Sequence, residues 1–122
     1  MDTADYRDTL RRLALSDERF METELGMGLD TVDISQLDAK TYALVRLSAA
    51  LAIDAAPSSY HSAVEPALAA GASIDEIVGT LIAVAPTIGM ARVVSAAPEL
   101  ALALGYDVDA AIEAQELSLI HI

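Results

Sequence analysis

Apolar residues recur along this chain at three- and four-residue intervals, and nowhere do they alternate in the period of two that marks a strand. Tyr6, Leu10 and Leu13 outline a first helix over 5–14. Ser16 is placed to cap a second, short helix with Asp17 and Glu18 in its first turn, and Gly26 and Gly28 end it. Residues 29–37 read as a connecting loop. Asp38 then caps a longer helix over 39–53, with Leu44, Val45, Leu47, Ser48, Leu51 and Ala52 as its buried stripe. Pro57 suits the first turn of the next helix, which runs to Gly71 and should kink at Pro66. Ser73 and Glu76 have capping-box spacing ahead of Ile77, Val78, Leu81, Ile82 and Val84. Pro86 and Gly89 mark a bend. A further helix covers 90–104, with Pro98 inside it and Gly105 as its C-terminal stop, and a short helix follows over 108–116.

Composition turns this pattern into an all-α expectation with subunit contacts. Hydrophobic residues make up 54% of 122, yet there is no Trp and one Phe, so the apolar content is largely Ala, Leu, Val and Ile. Small aliphatics suit closely packed helices, and a chain this short has little interior for so much apolar surface. A homo-oligomer is expected to bury the surplus. The net charge of −12 argues against nucleic acid and anionic membrane surfaces. After Arg46 the only cation is Arg92, among nine acids. No apolar run reaches spanning length, and the N-terminus MDTADYRDTLRR is unlike a signal peptide, so a cytoplasmic location is expected.

The absence of cysteine removes disulfides and thiolate ligands, and no combination of His, Asp and Glu suggests a metal site or calls for a cofactor. His61 and Glu65 stand at i and i+4. They can form a general acid–base pair with the carboxylate orienting the imidazole, or simply a solvated helix pair. Ser59 and Tyr60 can hydrogen-bond a small ligand, or satisfy the first helical turn and pack. Arg92, between Ile88, Met90, Ala91, Val93 and Val94, either anchors a ligand carboxylate or is compensated by one of the chain's own acids, and Arg46 carries the same two readings.

The stretch HSAVEPALAAGASIDEIVGTLIAVA, followed by TIGMARVV and preceded by LDAKTYALVRLSAALA, resembles the carboxymuconolactone decarboxylase family over 37–105. The resemblance implies the alkylhydroperoxidase D-like helical fold, with about six helices and assembly as a dimer, trimer or hexamer. It divides the chain into N-terminal helices and loop over 1–36, a helical core over 37–116 and a tail over 117–122. That tail, LSLIHI, resembles the translated end of a sequencing-library adapter and is expected to be non-native, which sets His121 aside.

Alkylhydroperoxidase D proteins of the family reduce through a Cys-x-x-Cys-x-x-x-His motif. Counted back from Gly71, its positions fall on Ala56, Ser59 and Ala63, none of which keeps the motif residue. His61 lies roughly 140–160° around the helix from those positions and does not replace the lost histidine easily. The resemblance therefore implies a member without disulfide redox chemistry, binding or transforming a small organic acid. The alternative is a non-catalytic oligomeric scaffold or partner-binding module. A cation reaching the pocket beside Ser59 favours the first, and a pocket filled by aliphatic side chains favours the second.

Overall fold

The computed structural model describes residues 5–15 and 31–120, and every regular element among them is an α-helix. The order is α1 (Tyr6–Ala14), α2 (Val32–Ser35), α3 (Ala39–Ala52), α4 (Pro57–Ala69), α5 (Ile74–Ile88), α6 (Met90–Ala103) and α7 (Val108–Ile120). That is seven helices among the described residues. The chain divides into two compact units, Met1–Tyr42 and Ala43–Ile122, with the division falling inside α3.

In the first unit, Asp5 caps α1 by accepting from the Arg7 N–H, and Asp8 pairs with Arg11 and Arg12. The helix expected after Ser16, with its stop at Gly26 and Gly28, lies outside the described residues. The loop expected over 29–37 is corrected in part, because Val32–Ser35 forms a single helical turn closed by Gln36 in the left-handed region at φ 61°. The Tyr42 hydroxyl accepts from the Thr31 N–H at 3.0 Å and lies 2.9 Å from its hydroxyl, which fixes the start of that turn. Asp38 caps α3 as expected. Its carboxylate accepts from the Thr41 N–H at 2.8 Å and hydroxyl at 3.0 Å, and these bonds hold its pKa below the ordinary carboxylate value.

In the second unit, α4 packs against α6 and α5, α5 against α6, and α6 against α7. The core is a cluster of small and aliphatic side chains around one ring. It contains Ala43, Leu47 and Leu51 of α3, Tyr60, Val64 and Ala67 of α4, Ile77 and Leu81 of α5, and Ala96 and Leu100 of α6. Each set repeats at i, i+4 or nearly so, as a helix stripe requires. The stripe of α3 is rotated from expectation, since Val45 is exposed and Ala43 is buried in its place. On α5, the expected core residues Val78 and Ile82 are exposed, Ile82 at 68%, while Ile77 and Leu81 are buried.

Pro66 lies inside its helix as expected, whereas Pro86 does not mark the bend expected of it. Both α4 and α5 continue through Pro66 and Pro86, and the break after α5 falls at Gly89 with φ 88°. The capping box forms, with the Ser73 N–H donating to the Glu76 carboxylate at 2.9 Å and the Glu76 N–H to the Ser73 hydroxyl at 3.0 Å. The terminal helix runs to Ile120, into the expected tail.

Candidate functional site

Three helix ends in the second unit close with one backbone device, and one of them uses an unusual residue. After α4, Gly71 adopts φ 95° and the Ala72 N–H reaches the Ala67 carbonyl at 2.9 Å. After α6, Gly105 adopts φ 90° and the Tyr106 N–H reaches Ala101 at 2.8 Å. After α3 the left-handed residue is Asp54, at φ 56°, and the Ala55 N–H reaches the Ala50 carbonyl at 3.1 Å. This is the motif in which glycine is usual because it carries no Cβ penalty, although Asp tolerates the region better than most residues. Here it brings a carboxylate to the corner between α3 and α4.

From that corner the two helices flank a groove of about 520 Å³. One helix contributes Arg46, Ala49, Ala50 and Ile53, which follow an i, i+3, i+4, i+7 row along α3 and just past its end. The other wall is Ala55 with Ser59, Ser62 and Ala63 of α4. Ser59 and Ala63 are two of the three positions at which the family resemblance would put the redox motif. Among the described residues its lining is mostly alanine, its hydroxyls are serine, and its single charge is the Arg46 guanidinium. The Ser62 hydroxyl donates to the Ser58 carbonyl at 3.0 Å, whereas the Ser59 hydroxyl makes no hydrogen bond within the described residues.

Tyr60 sits on another face of α4. It is 1% exposed, and its buried hydroxyl has no hydrogen-bond partner among the described residues. Burial raises its pKa above the ordinary value, the carboxylates of Asp54 and Glu99 raise it further, and the Arg92 cation opposes them. Arg92, Ala96 and Glu99 follow one another at i, i+4 and i+7 on α6, the helix against which α4 packs. Arg92 is half-buried and forms no hydrogen bond or ion pair with another described residue.

The sequence-expected residues are thus parted. Ser59 faces the groove, Tyr60 is in the core, and Arg92 does not line the groove beside Ser59, where the cation is Arg46. His61 and Glu65 are both exposed, with no hydrogen bond or ion pair between them among the described residues. Glu65 instead edges a shallow depression with Ser62, Pro66, Leu68 and Ala69. Sequence reasoning missed Asp54 and Ser62 and ranked Arg46 below Arg92. The signal for Arg46 was present: Ala49, Ala50 and Ile53 continue its helix face with nothing charged.

No group of three or more His, Cys, Asp or Glu among the described residues is arranged to hold a metal ion. No helix among them is long and apolar enough to cross a membrane. No curated protein and no solved structure matches the chain. The model of the carboxymuconolactone decarboxylase family matches residues 18–102, which starts ahead of the 37–105 span of the resemblance.

Proposed function

Since the chain belongs to the carboxymuconolactone decarboxylase family, we propose that it is a member without disulfide redox chemistry that binds a small organic acid in the groove between α3 and α4. The observation that carries this reading is the sign of the groove. In a chain of net charge −12, the one charged side chain lining it among the described residues is a cation, beside alanines and a Ser59 hydroxyl that makes no hydrogen bond among those residues. A volume of about 520 Å³ falls within the range of small-molecule sites. The planar guanidinium matches a carboxylate by two parallel hydrogen bonds. The missing cysteines leave no thiolate to reduce a peroxide through a disulfide, so on this reading any turnover does not pass through thiol chemistry. A cytoplasmic location belongs to the same proposal, since a chain without disulfides suits a reducing compartment.

The test is a thermal-shift and calorimetric screen of small carboxylates against wild type and Arg46→Gln. Charge-assisted hydrogen bonds contribute about 1.5–3 kcal/mol, so the variant should bind roughly 10- to 100-fold more weakly. Equal binding by both proteins overturns the reading.

A second reading, that of an oligomeric helical scaffold, is favoured by the exposed row Ile74, Val78 and Ile82 on α5, spaced at i, i+4 and i+8, with Met90 and Val94 exposed on α6. We propose that another copy of the chain covers this surface, which accounts for the apolar surplus. Light scattering decides it: a mass that stays at 12.8 kDa across concentrations excludes self-association.

A further inference from the structure

Helix α5 is apolar nearly all round, yet only one side of it is buried. Between Glu76 and Arg92 the chain carries no charged residue. A helix of that composition is ordinarily enclosed on every side. Here Ile77 and Leu81 join the core, whereas Val78 is 40% and Ile82 68% exposed, with Ala83 and Pro86 exposed beside them. The middle of this outer face is Gly79, which stands about 160° round the helix from both Ile77 and Leu81. A glycine inside a helix costs stability relative to alanine. Gly79 is not in the left-handed region, and a Cβ at this position would meet nothing within 4 Å. Among the described residues, neither conformation nor space calls for glycine there; a close approach from outside the chain does. Ala83 follows one turn later. Thr80, at the border of the face, donates its hydroxyl to the Glu76 carbonyl at 3.0 Å, so covering it leaves that group satisfied.

Resting on the reading in which a second copy covers this surface, we propose that α5 pairs with α5 of that copy, antiparallel about a two-fold axis, with the backbones closest where Gly79 of each meets Ala83 of the other. Small side chains at the crossing let two helices approach closely. The orientation follows from charge. The carboxylates of α5, Asp75 and Glu76, are confined to its first turn, and its far end has none. Parallel pairing would set Asp75 against its counterpart and align the helix dipoles. Antiparallel pairing about this crossing separates the two Asp75 residues by about 18 Å along the helix and places each beside Pro86 of the other copy. The contact is closed, because each copy offers the same patch. One helix pair falls short of the roughly 800 Å² per partner that a standard interface buries, so Met90 and Val94, 69% and 66% exposed just beyond Gly89, extend it.

Light scattering of the intact chain across a dilution series, with oxidative crosslinking, tests the pairing, each variant first confirmed folded by its thermal melt. Wild type should exceed 12.8 kDa at high concentration. Gly79→Leu enlarges the apolar face but blocks the close approach, so self-association should weaken by about tenfold or more. Gly79→Ala should melt no lower than wild type at dilutions where both are monomeric. The chain has no cysteine of its own, so an introduced one reports on a single position. Ile82→Cys, close to the axis, should crosslink with itself. Asp75→Cys and Pro86→Cys should each fail to do so alone and should crosslink when mixed. Asp75→Cys crosslinking with itself, Gly79→Leu associating as tightly as wild type, or a lower melt for Gly79→Ala overturns the helix pairing while leaving self-association standing. A mass of 12.8 kDa at every concentration removes the contact between copies altogether.

Discussion

Two faces of α4 meet two arginines, and among the described residues only one of those arginines lines a groove. On the core face, Tyr60, Val64 and Ala67 pack toward α6, and Arg92 shares the surroundings of the Tyr60 hydroxyl with two carboxylates. On the groove face, Ser59, Ser62 and Ala63 look across alanines to Arg46, with no carboxylate in the lining among the described residues. Both arginines interrupt apolar stretches and read alike in sequence. What separates them is the third dimension: one cation lies beside a sealed ring, the other lines a groove. A cation among apolar residues is thus a weak indicator of a binding site until its neighbours on other helices are known.

The most disruptive way to test the contrast is to remove the ring. Tyr60→Ala should cost about 3–5 kcal/mol, the range for deleting a large buried aromatic, measured by urea unfolding. Ser59→Ala, one residue away on the groove face, should stay within about 0.5 kcal/mol. Comparable losses at both positions would mean that the faces are not energetically distinct.

Next in size is the exchange of the arginines themselves. Arg46→Gln should weaken carboxylate binding by about 1.5–3 kcal/mol, while Arg92→Gln should leave affinity within twofold of wild type. The reverse ranking in the same titration would move the site to α6 and restore the expectation that sequence alone supports.

Much of the fold was readable because helix ends obey local chemistry. Asp38, Ser73 with Glu76, and Gly105 each did what its side chain or its lack of one dictates, within a few residues of chain. Buried stripes were less legible on α3 and α5. Alanine and isoleucine serve either face of a helix, so the choice of Ala43 over Val45 and of Ile77 over Ile82 was made by packing, which periodicity in an apolar helix does not encode. The candidate site was legible only by half. Resemblance pointed to Ser59 and Ala63, and the groove passes over them, but its cation comes from a different helix and its corner from Asp54, whose left-handed conformation no spacing rule announces.

A smaller effect probes the sealed hydroxyl. A buried hydroxyl without a partner carries a desolvation cost, so Tyr60→Phe should raise stability by about 1 kcal/mol at neutral pH. The folded pKa of Tyr60 is raised by burial and by Asp54 and Glu99, so the unfolded chain loses this proton first. The associated stability is complete below about pH 10 and is lost as pH rises toward the folded value. Tyr60→Phe should therefore flatten the alkaline limb of the stability profile. A fall in stability on substitution would show that the hydroxyl is satisfied in solution.

The smallest expected effect belongs to the pair that looked most like chemistry. His61 and Glu65 have the spacing of an acid–base couple, yet both are exposed, neither bonds to the other among the described residues, and neither is among the residues that line the groove, although Glu65 shares the neighbouring depression with Ser62. An exposed pair at this spacing contributes a few tenths of a kcal/mol at most. The double variant His61→Ala, Glu65→Gln should stay within about 0.5 kcal/mol of wild type and bind carboxylates with unchanged affinity. Lost affinity with stability retained would bring this third face of α4 into the site. The comparison would then no longer be between a sealed face and an open one, because a residue outside the groove lining would have to act on its ligand, either through the depression that Glu65 shares with Ser62 or from a second copy of the chain presenting its own α4.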